Sequence, residues 1–422
     1  MSYQKLLSII TIMFPPLGLP IGLYGIKKDN SNWRIYIFLI SLFFAVLAYC
    51  FQPKMETDLF RYFLFIEELK DTSFNAAIND PSYGMNGQGL FFFTGICWLL
   101  GKINDPHLLP AISTFLVYYI ALYIICHVSE DIESGKKDVL VVILFFLISC
   151  NCYSIINNVR NVLAFSIVSM AVFQDLYLNK KKWWLFVLYL VPVFIHPTAL
   201  LLIAIRVVIR IAGKVKIPSL IIILFSQQIV LVLYNLSLKL SGSGVIGFIK
   251  RLLIKIYNYY FFHDLTQWAQ TVQDSLSELI FKIIYVAISI ILCFFVYKLS
   301  KSKDSIKGND RWEGNFLYLD YAYFIGLLVI VSAQSKEPTY WRFAAAQIIA
   351  SSAMILYIRK YLWERYWMRR ASILLYLLAF CGFALWMRNL LRYSVLIKLL
   401  VQPFINSPIV ILIKDFANLI VT

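Results

Sequence analysis

Arg160 stands between two strongly apolar runs, in Tyr153-Ser-Ile-Ile-Asn-Asn-Val-Arg-Asn-Val-Leu-Ala-Phe. A guanidinium at a membrane edge is costly unless something anionic or polar holds it. Its planar fork suits phosphate or carboxylate oxygens. Asn157, Asn158 and Asn161 surround it with amide donors and acceptors. They weigh against a charge that only snorkels at a helix end. His196 falls at the next turn of the chain on the same expected side, and Pro197 after it favours a helix break. A guanidinium and an imidazole at one mouth of a helical bundle suggest a site for a phosphate-bearing substrate.

Three further groups could join them. In Asp58-Leu-Phe-Arg61-Tyr62-Phe-Leu-Phe65, helical spacing puts Asp58, Arg61, Tyr62 and Phe65 on one face. These residues alone favour an exposed Asp–Arg pair over a carboxylate base held by Arg61. Arg342 heads another apolar run, and two such arginines could grip a diphosphate or two phosphates; Arg388 and Arg392 are weaker candidates. Val245, Phe248, Ile249, Leu252, Leu253 and Ile256 oppose Lys250, Arg251, Lys255 and Asn258, as in a basic interfacial helix. Tyr257 and the aromatic residues after it lead to His263 and Asp264. Simple lipid anchoring is the strong reading there. The alternative is a lid that meets anionic headgroups and offers stacking faces to sugars.

The elements that must position these residues are membrane helices. The chain is 60% hydrophobic and 15% charged, with mean hydropathy +0.74. A soluble protein of 422 residues could not hide that much apolar surface. Apolar stretches recur near 5–23, 34–51, 90–103, 108–127, 139–156, 161–178, 183–195, 198–212, 218–235, 277–298, 316–333, 342–358, 371–387 and 400–420. They predict an all-α polytopic protein with about 11–14 spans. It reads as one integral domain, 1–422, without a cleavable leader; Pro15, Pro16 and Pro20 interrupt the first stretch.

Basic loops at Lys27/Lys28/Arg34, Lys180–Lys182, Lys214/Lys216, Lys298–Arg311 and Arg359–Arg370 belong in the cytoplasm by the positive-inside rule. The loops 52–89 and 236–276, the Arg160 junction, the His196 turn, 334–341 and 388–399 then lie outside. Consistently, 52–89 has six acidic residues against three basic ones. An even number of crossings must separate 52–89 from 151–160, yet three apolar runs intervene. The short run 90–103, near Gly84, Gly87, Gly89 and Gly95, is therefore expected not to cross.

Several chemistries find no support. The net charge of +16 is split among short loops, which argues against a nucleic-acid partner. Cys97, Cys126, Cys293 and Cys381 read as packing residues. Cys150 and Cys152 lack a second pair or His cluster at ligand spacing, so neither a metal nor a disulfide framework is implied. No P-loop, GxGxxG, HExxH or nucleophile elbow is present, and no Asp-x-Asp. No cofactor is expected.

The order of features resembles the EpsG/Wzy-type family of bacterial polysaccharide polymerases. Asp58-Leu-Phe-Arg61-Tyr62 is similar to its acidic–aromatic element in the first outer loop, and Asp80-Pro81-Ser-Tyr83 to its Asp-Pro lead-in. Val159-Arg160-Asn161-Val-Leu163-Ala164 resembles its Ile-Arg-Gln-x-(Ile/Leu)-Ala span start. Ile195-His196-Pro-Thr198-Ala199 resembles its Phe-His-x-Ser/Thr-Ala turn, and Arg342 its late outer arginine. Asn161 replaces the usual Gln, and Pro197 follows the His.

The resemblance implies a fold like GT-C-type glycosyltransferases, with interfacial helices in the outer loops. It implies a polymerase of O-antigen or capsule type at the outer face of the bacterial inner membrane. Its substrates would be undecaprenyl-diphosphate-linked oligosaccharides, with a chain-length regulator and a flippase as associated partners. Arg160 and Arg342 would bind the donor diphosphate. Asp58 or His196 would accept the proton of the attacking hydroxyl. Arg61, Tyr62, Asn161, Lys250, Arg251 and Tyr257 would contact substrate. Two other classes stay open. A lipid-linked oligosaccharide flippase would carry ionisable residues at mid-membrane depth and related halves. An O-antigen ligase or acyltransferase would share the side and the carrier.

Overall fold

In hydrocarbon a backbone can satisfy its N–H and C=O groups only within a helix or a closed barrel. The apolar runs take the first route. The structure, a computed structural model, describes residues 9–11, 13–28, 32–55, 57–79, 90–212, 216, 225–239, 246–247, 250, 253–254, 257–258, 261, 276–302, 312–335, 339–392, 401–405, 407, 409–411 and 413–414, side chains excepted at 211–212, 312–315 and 388–392. Among them every extended element is a helix and there is no strand.

In chain order the helices are α1 (Gly18–Lys28), α2 (Trp33–Tyr49), α3 (Asp58–Leu69), α4 (Phe74–Asn79), α5 (Phe91–Ile103), α6 (Leu108–Asp131), α7 (Lys136–Ser149), α8 (Cys152–Asn157) and α9 (Val159–Val172). There follow α10 (Trp184–Ile195), α11 (Ala199–Ala212), α12 (Ser226–Leu238), α13 (Leu276–Lys301), α14 (Trp312–Ala333), α15 (Tyr340–Ser351), α16 (Met354–Tyr357) and α17 (Tyr366–Arg392). Five helices among the described residues are long and apolar enough to cross a membrane: α6, α9 with its π turn Phe173–Tyr177, α13, α14 and α17. The pair α15–α16, bent by 47°, makes a sixth if it is one span. The chain is an all-α polytopic membrane protein. The expected count of about 11–14 included runs that form the shorter helices α2, α5 and α10 and runs only partly described, such as 218–235 and 400–420.

Side-chain contacts sort the helix ends into two groups. At one end the Trp33 indole donates to Glu130, Tyr177 to Asp131 and Lys136 to the Lys28 carbonyl. There Arg359 bonds Asp138 at 2.5 Å and Lys360 reaches the Ile132 carbonyl. This is the basic end. At the other end, Tyr49 donates to Asp105, Tyr285 to the Ser149 carbonyl, Ser226 to Gln334, and Arg160 to Tyr62.

Helix α5 begins and ends at this second end. Phe91, its first residue, packs on Phe194 near the C-terminus of α10, and Asp105 just beyond it meets Tyr49 at the C-terminus of α2. Thirteen residues span about 20 Å, short of the roughly 30 Å hydrocarbon core. The expectation that 90–103 does not cross fits this geometry. Asn104, left-handed at φ 60°, stops the helix, a conformation asparagine tolerates. The buried face of α5, Phe93, Thr94, Cys97, Leu100 and Gly101, lies on that of α3, Leu59, Tyr62, Phe65, Ile66 and Leu69. Trp98 Nε1 donates to the Thr72 carbonyl and Lys102 to that of Lys70, closing the layer.

Gly101 sets the spacing of this layer. A Cβ there would lie 2.8 Å from the Ile66 carbonyl oxygen, which belongs to rigid helix backbone. A Cβ on Gly95 would meet only Phe74, at 3.8 Å. Gly101→Ala is therefore expected to lower stability by about 1–3 kcal/mol, the usual range for overpacking. Gly95→Ala should be neutral or slightly stabilising, since it removes a helical glycine. The midpoint of SDS-induced unfolding in detergent checks both, and equal midpoints would refute the tight α3–α5 contact.

Candidate active site at the Arg160 end

Helix α9 starts abruptly. Asn151 caps α8 by accepting from Ser154 N–H at 3.1 Å, and Asn158 breaks the chain before Val159. Arg160 is thus the second residue of a deeply packed helix. Its Nε donates to the Tyr62 hydroxyl at 2.8 Å. Its guanidinium carbon lies 5.2 Å from the Tyr62 ring centre and 5.6 Å from that of Phe93. Those two rings meet edge to face at 5.3 Å. One bond and two cation–π contacts thereby fix the plane of the guanidinium.

The asparagines do not all surround it as expected. Asn157 and Asn158 donate to the carbonyls of Tyr153 and Ser154, one turn back in α8. Asn161 is buried. Arg160 is met instead by Tyr62 of α3 and Phe93 of α5, far away in sequence.

Tyr62 is 3% exposed. Burial pushes its hydroxyl up to about 12; the charge of Arg160 pulls it back, Asp58 raises it, and Arg342 lowers it more weakly. Tyr62 is therefore a neutral phenol within electrostatic reach of both arginines and of Asp58. Thr57 caps α3 by accepting from Phe60 N–H, which places Asp58 in the first turn, one turn before Tyr62. A carboxylate is favoured there by the positive helix end. Asp58 bonds Arg61 at 3.5 Å, with side chains 33% and 66% exposed. The expected common face of Asp58, Arg61, Tyr62 and Phe65 therefore splits. Tyr62 and Phe65 turn inward and Arg61 turns out, because a guanidinium keeps more hydration outside.

Arg342 lies in the first turn of α15. Its Nε is buried and has no hydrogen-bond partner among the described residues. The next residue, Phe343, stacks on Phe165 of α9 at 5.7 Å, and the ring of His196 meets Phe165 edge-on at 6.3 Å. One α9 side chain thus gathers α15 and the α10–α11 turn below Arg160. His196 N–H still bonds the Pro192 carbonyl, and the break follows at Pro197. His196 Nδ1 accepts from Thr198 N–H at 3.2 Å. While that bond stands, the neutral ring carries its proton on Nε2, so Nε2 donates.

Other expectations fall elsewhere. Arg251, Lys255, His263, Asp264 and Asp80–Tyr83, like the side chains of Arg388 and Arg392, lie outside the described residues. So does most of the basic helix 245–256, although Lys250 is described as helical. Tyr257 stacks on Tyr234 of α12 at 3.7 Å and 9°, so one of its faces meets protein and is closed to a sugar. Cys381 is exposed, unlike Cys97, Cys126 and Cys293.

Two pairs went unforeseen. Tyr340, two residues before Arg342, donates to Glu278 in the first turn of α13 at 2.6 Å. Its signal was an acid at the head of a long apolar run. Arg206 reaches Asp175 with Nη2 at 2.5 Å and Nε at 2.6 Å, and Tyr189 donates to the same oxygen. Arg206 sits midway along α11, so not all of the charge lies at helix ends.

The sequence profile of the EpsG family matches residues 35–397, most of the chain. No curated protein and no solved structure matches it. The chain belongs to the EpsG family, a Wzy-type polysaccharide polymerase family, and membership supports a polysaccharide-polymerase role.

The Arg160–Tyr62 bond can be measured apart from activity. A hydrogen bond to a charged group is worth about 1.5–3 kcal/mol. Tyr62→Phe keeps the ring and its cation–π contact, so its stability loss should fall at the lower end of that range. In a double-mutant cycle with Arg160→Met, the two losses should fall short of additivity by about 1 kcal/mol. Strict additivity of SDS-unfolding midpoints would mean that the pair is not coupled.

Proposed function

We propose that this EpsG-family protein polymerises undecaprenyl-diphosphate-linked oligosaccharide repeat units into O-antigen or capsular polysaccharide. The observation that carries this reading is the pair of arginines at the starts of α9 and α15. Both act on Tyr62, and Arg342 keeps a buried Nε with no hydrogen-bond partner among the described residues. A cation at the positive end of a helix is disfavoured in isolation. Two such cations with two helix N-termini suit an anion of high charge. A lipid diphosphate has that charge.

The proposed reaction is a glycosyl transfer. A hydroxyl oxygen of the incoming unit attacks the anomeric carbon of the growing chain. The bond from that carbon to the diphosphate oxygen breaks, and the lipid diphosphate leaves. Arg160 and Arg342 stabilise the charge that develops on the leaving oxygen. Tyr62 positions Arg160. His196, held as a donor through Nε2, suits the diphosphate or a sugar oxygen better than it suits a base. The general base is then Asp58, whose part-exposed carboxylate can pass the proton to water. The Lys- and Arg-rich end belongs in the cytoplasm by the positive-inside rule, which puts Arg160 on the outer face.

The test is a gel of surface polysaccharide from cells deleted for this gene and complemented with variants. Wild type should restore a ladder of chain lengths. Arg160→Ala, at normal protein level, should leave single repeats, and a ladder of wild-type length would sink the assignment. Asp58→Asn should slow polymerisation by about 10²–10⁴, the usual worth of a general base. His196→Gln, which keeps a donor, should retain more activity than Asp58→Asn; the reverse order would move the base to His196. A ligase would instead leave finished polymer on its lipid carrier after deletion.

A further inference from the structure

Helices α13 and α17 are antiparallel partners, and their separation changes along their length. Toward the Arg160 end they close. A Cβ on Gly382 would lie 3.4 Å from Ile284, and Ala379 lies beside it on the same face. Small residues allow that close approach, as they do between membrane helices generally. Toward the basic end the pair opens into a cavity of about 660 Å³ between Phe294 and Lys298 of α13 and Arg365, Trp367, Arg370 and Leu374 of α17 and the residue before it.

The chemistry of this wedge is uneven. Lys298, Arg365 and Arg370 contribute three positive charges, and among the described residues no carboxylate lines the cavity. None of the three forms an ion pair with a carboxylate among the described residues. Lys298 lies over the Phe294 ring at 5.4 Å and Arg370 over the Tyr366 ring at 4.0 Å. These contacts hold the cations without neutralising them. Beyond them α17 presents an apolar outer face: Leu374, Leu377 and Phe380 are 50–60% exposed, and Trp367 is 73% exposed at its start. Met368, Ser372, Leu375 and Ala379 carry the buried stripe on the other side. The wedge thus has a cationic mouth and an apolar wall that runs along the membrane span.

We infer that this wedge binds an anionic glycerophospholipid, with its phosphodiester among Lys298, Arg365 and Arg370 and an acyl chain along Leu374 and Phe294. A free anion would satisfy the cations but not the apolar wall. A zwitterionic lipid would cover the wall but bring its own cation to the mouth. Trp367 suits the boundary, since its ring prefers headgroup depth. Basic pockets between membrane helices hold anionic headgroups through this combination. The site is separate from the Arg160 end and does not depend on the reaction proposed there.

Native mass spectrometry of the full chain in detergent tests the inference, with phosphatidylglycerol and phosphatidylcholine as probes. Each cation near the surface contributes about a factor of five, so a preference for phosphatidylglycerol of roughly 100-fold is expected. Arg370→Gln should cut it about fivefold and the triple variant Lys298→Gln/Arg365→Gln/Arg370→Gln should abolish it. If the triple variant does not fold, the three single variants read the same contributions one by one. Arg160→Ala should keep the full preference. Equal retention of the two lipids, or an undiminished preference in the wedge variants, would overturn the site. Loss of the preference in Arg160→Ala would place the lipid at the other end and overturn it too. Inorganic phosphate that raises the thermal stability as much as phosphatidylglycerol would reject a lipid in favour of a free anion.

Discussion

The bond from Arg160 to Tyr62 joins two parts of the protein that obey different solvents. Arg160 belongs to α9, whose span has 78% of its residues buried inside the bundle. Tyr62 belongs to α3, part of a layer that returns to the end from which it starts. Nothing in the apolar packing of either part fixes where the layer sits on the bundle, because apolar contacts are non-directional. A charge-assisted bond with a required plane does fix it. Asp58 is carried one turn from Tyr62, so its position relative to both arginines depends on that bond. Gly101 serves the same geometry from below, since the depth of Tyr62 follows the α3–α5 separation.

The second constraint is the cost of charge in a low-dielectric bundle. The protein meets it in two ways. Inside and at the basic end, acids are bound to cations or phenols: Asp175 to Arg206 and Tyr189, Asp138 to Arg359, Asp131 to Tyr177. At the other end Arg160 meets the Tyr62 phenol and the rings of Tyr62 and Phe93, and Arg342 lies over the Trp341 ring. A neutral partner orients a guanidinium without cancelling its charge, whereas a carboxylate cancels it.

Much of this was legible in the sequence. Length, hydropathy and the scatter of Lys and Arg were enough for an all-α membrane bundle. The parity of crossings alone suggested that 90–103 would not cross. Arg160, Tyr62, His196 and Arg342 were each visible as polar residues at the edges of apolar runs. The contact between Arg160 and Tyr62 was not, because they are 98 residues apart and no local rule pairs them. The asparagines beside Arg160 misled for a related reason. Asn157 and Asn158 have strong local alternatives in the carbonyls one turn back, and local bonds win when the backbone is breaking. Arg206 and Asp175 were missed because a single mid-helix charge gives no hint of its partner until α9 and α11 pack.

The proposed division of roles between Asp58 and His196 rests on what each side chain must do about water. His196 sits beside Phe165, and its Nδ1 is already committed to the Thr198 amide. To act as a base through Nδ1 its ring would have to give up that bond. Asp58 has no such obstacle. It lies at a helix start and keeps a third of its side chain in contact with solvent, where a proton can be lost again. Its bond to Arg61 is long and exposed, so it holds the carboxylate in place without competing strongly for it. A transferase of the proposed kind needs an anion grip and a base in contact with water, both within reach of one substrate. In that proposal the bundle carries the grip and the α3 layer carries the base, and the Tyr62–Arg160 bond joins the two.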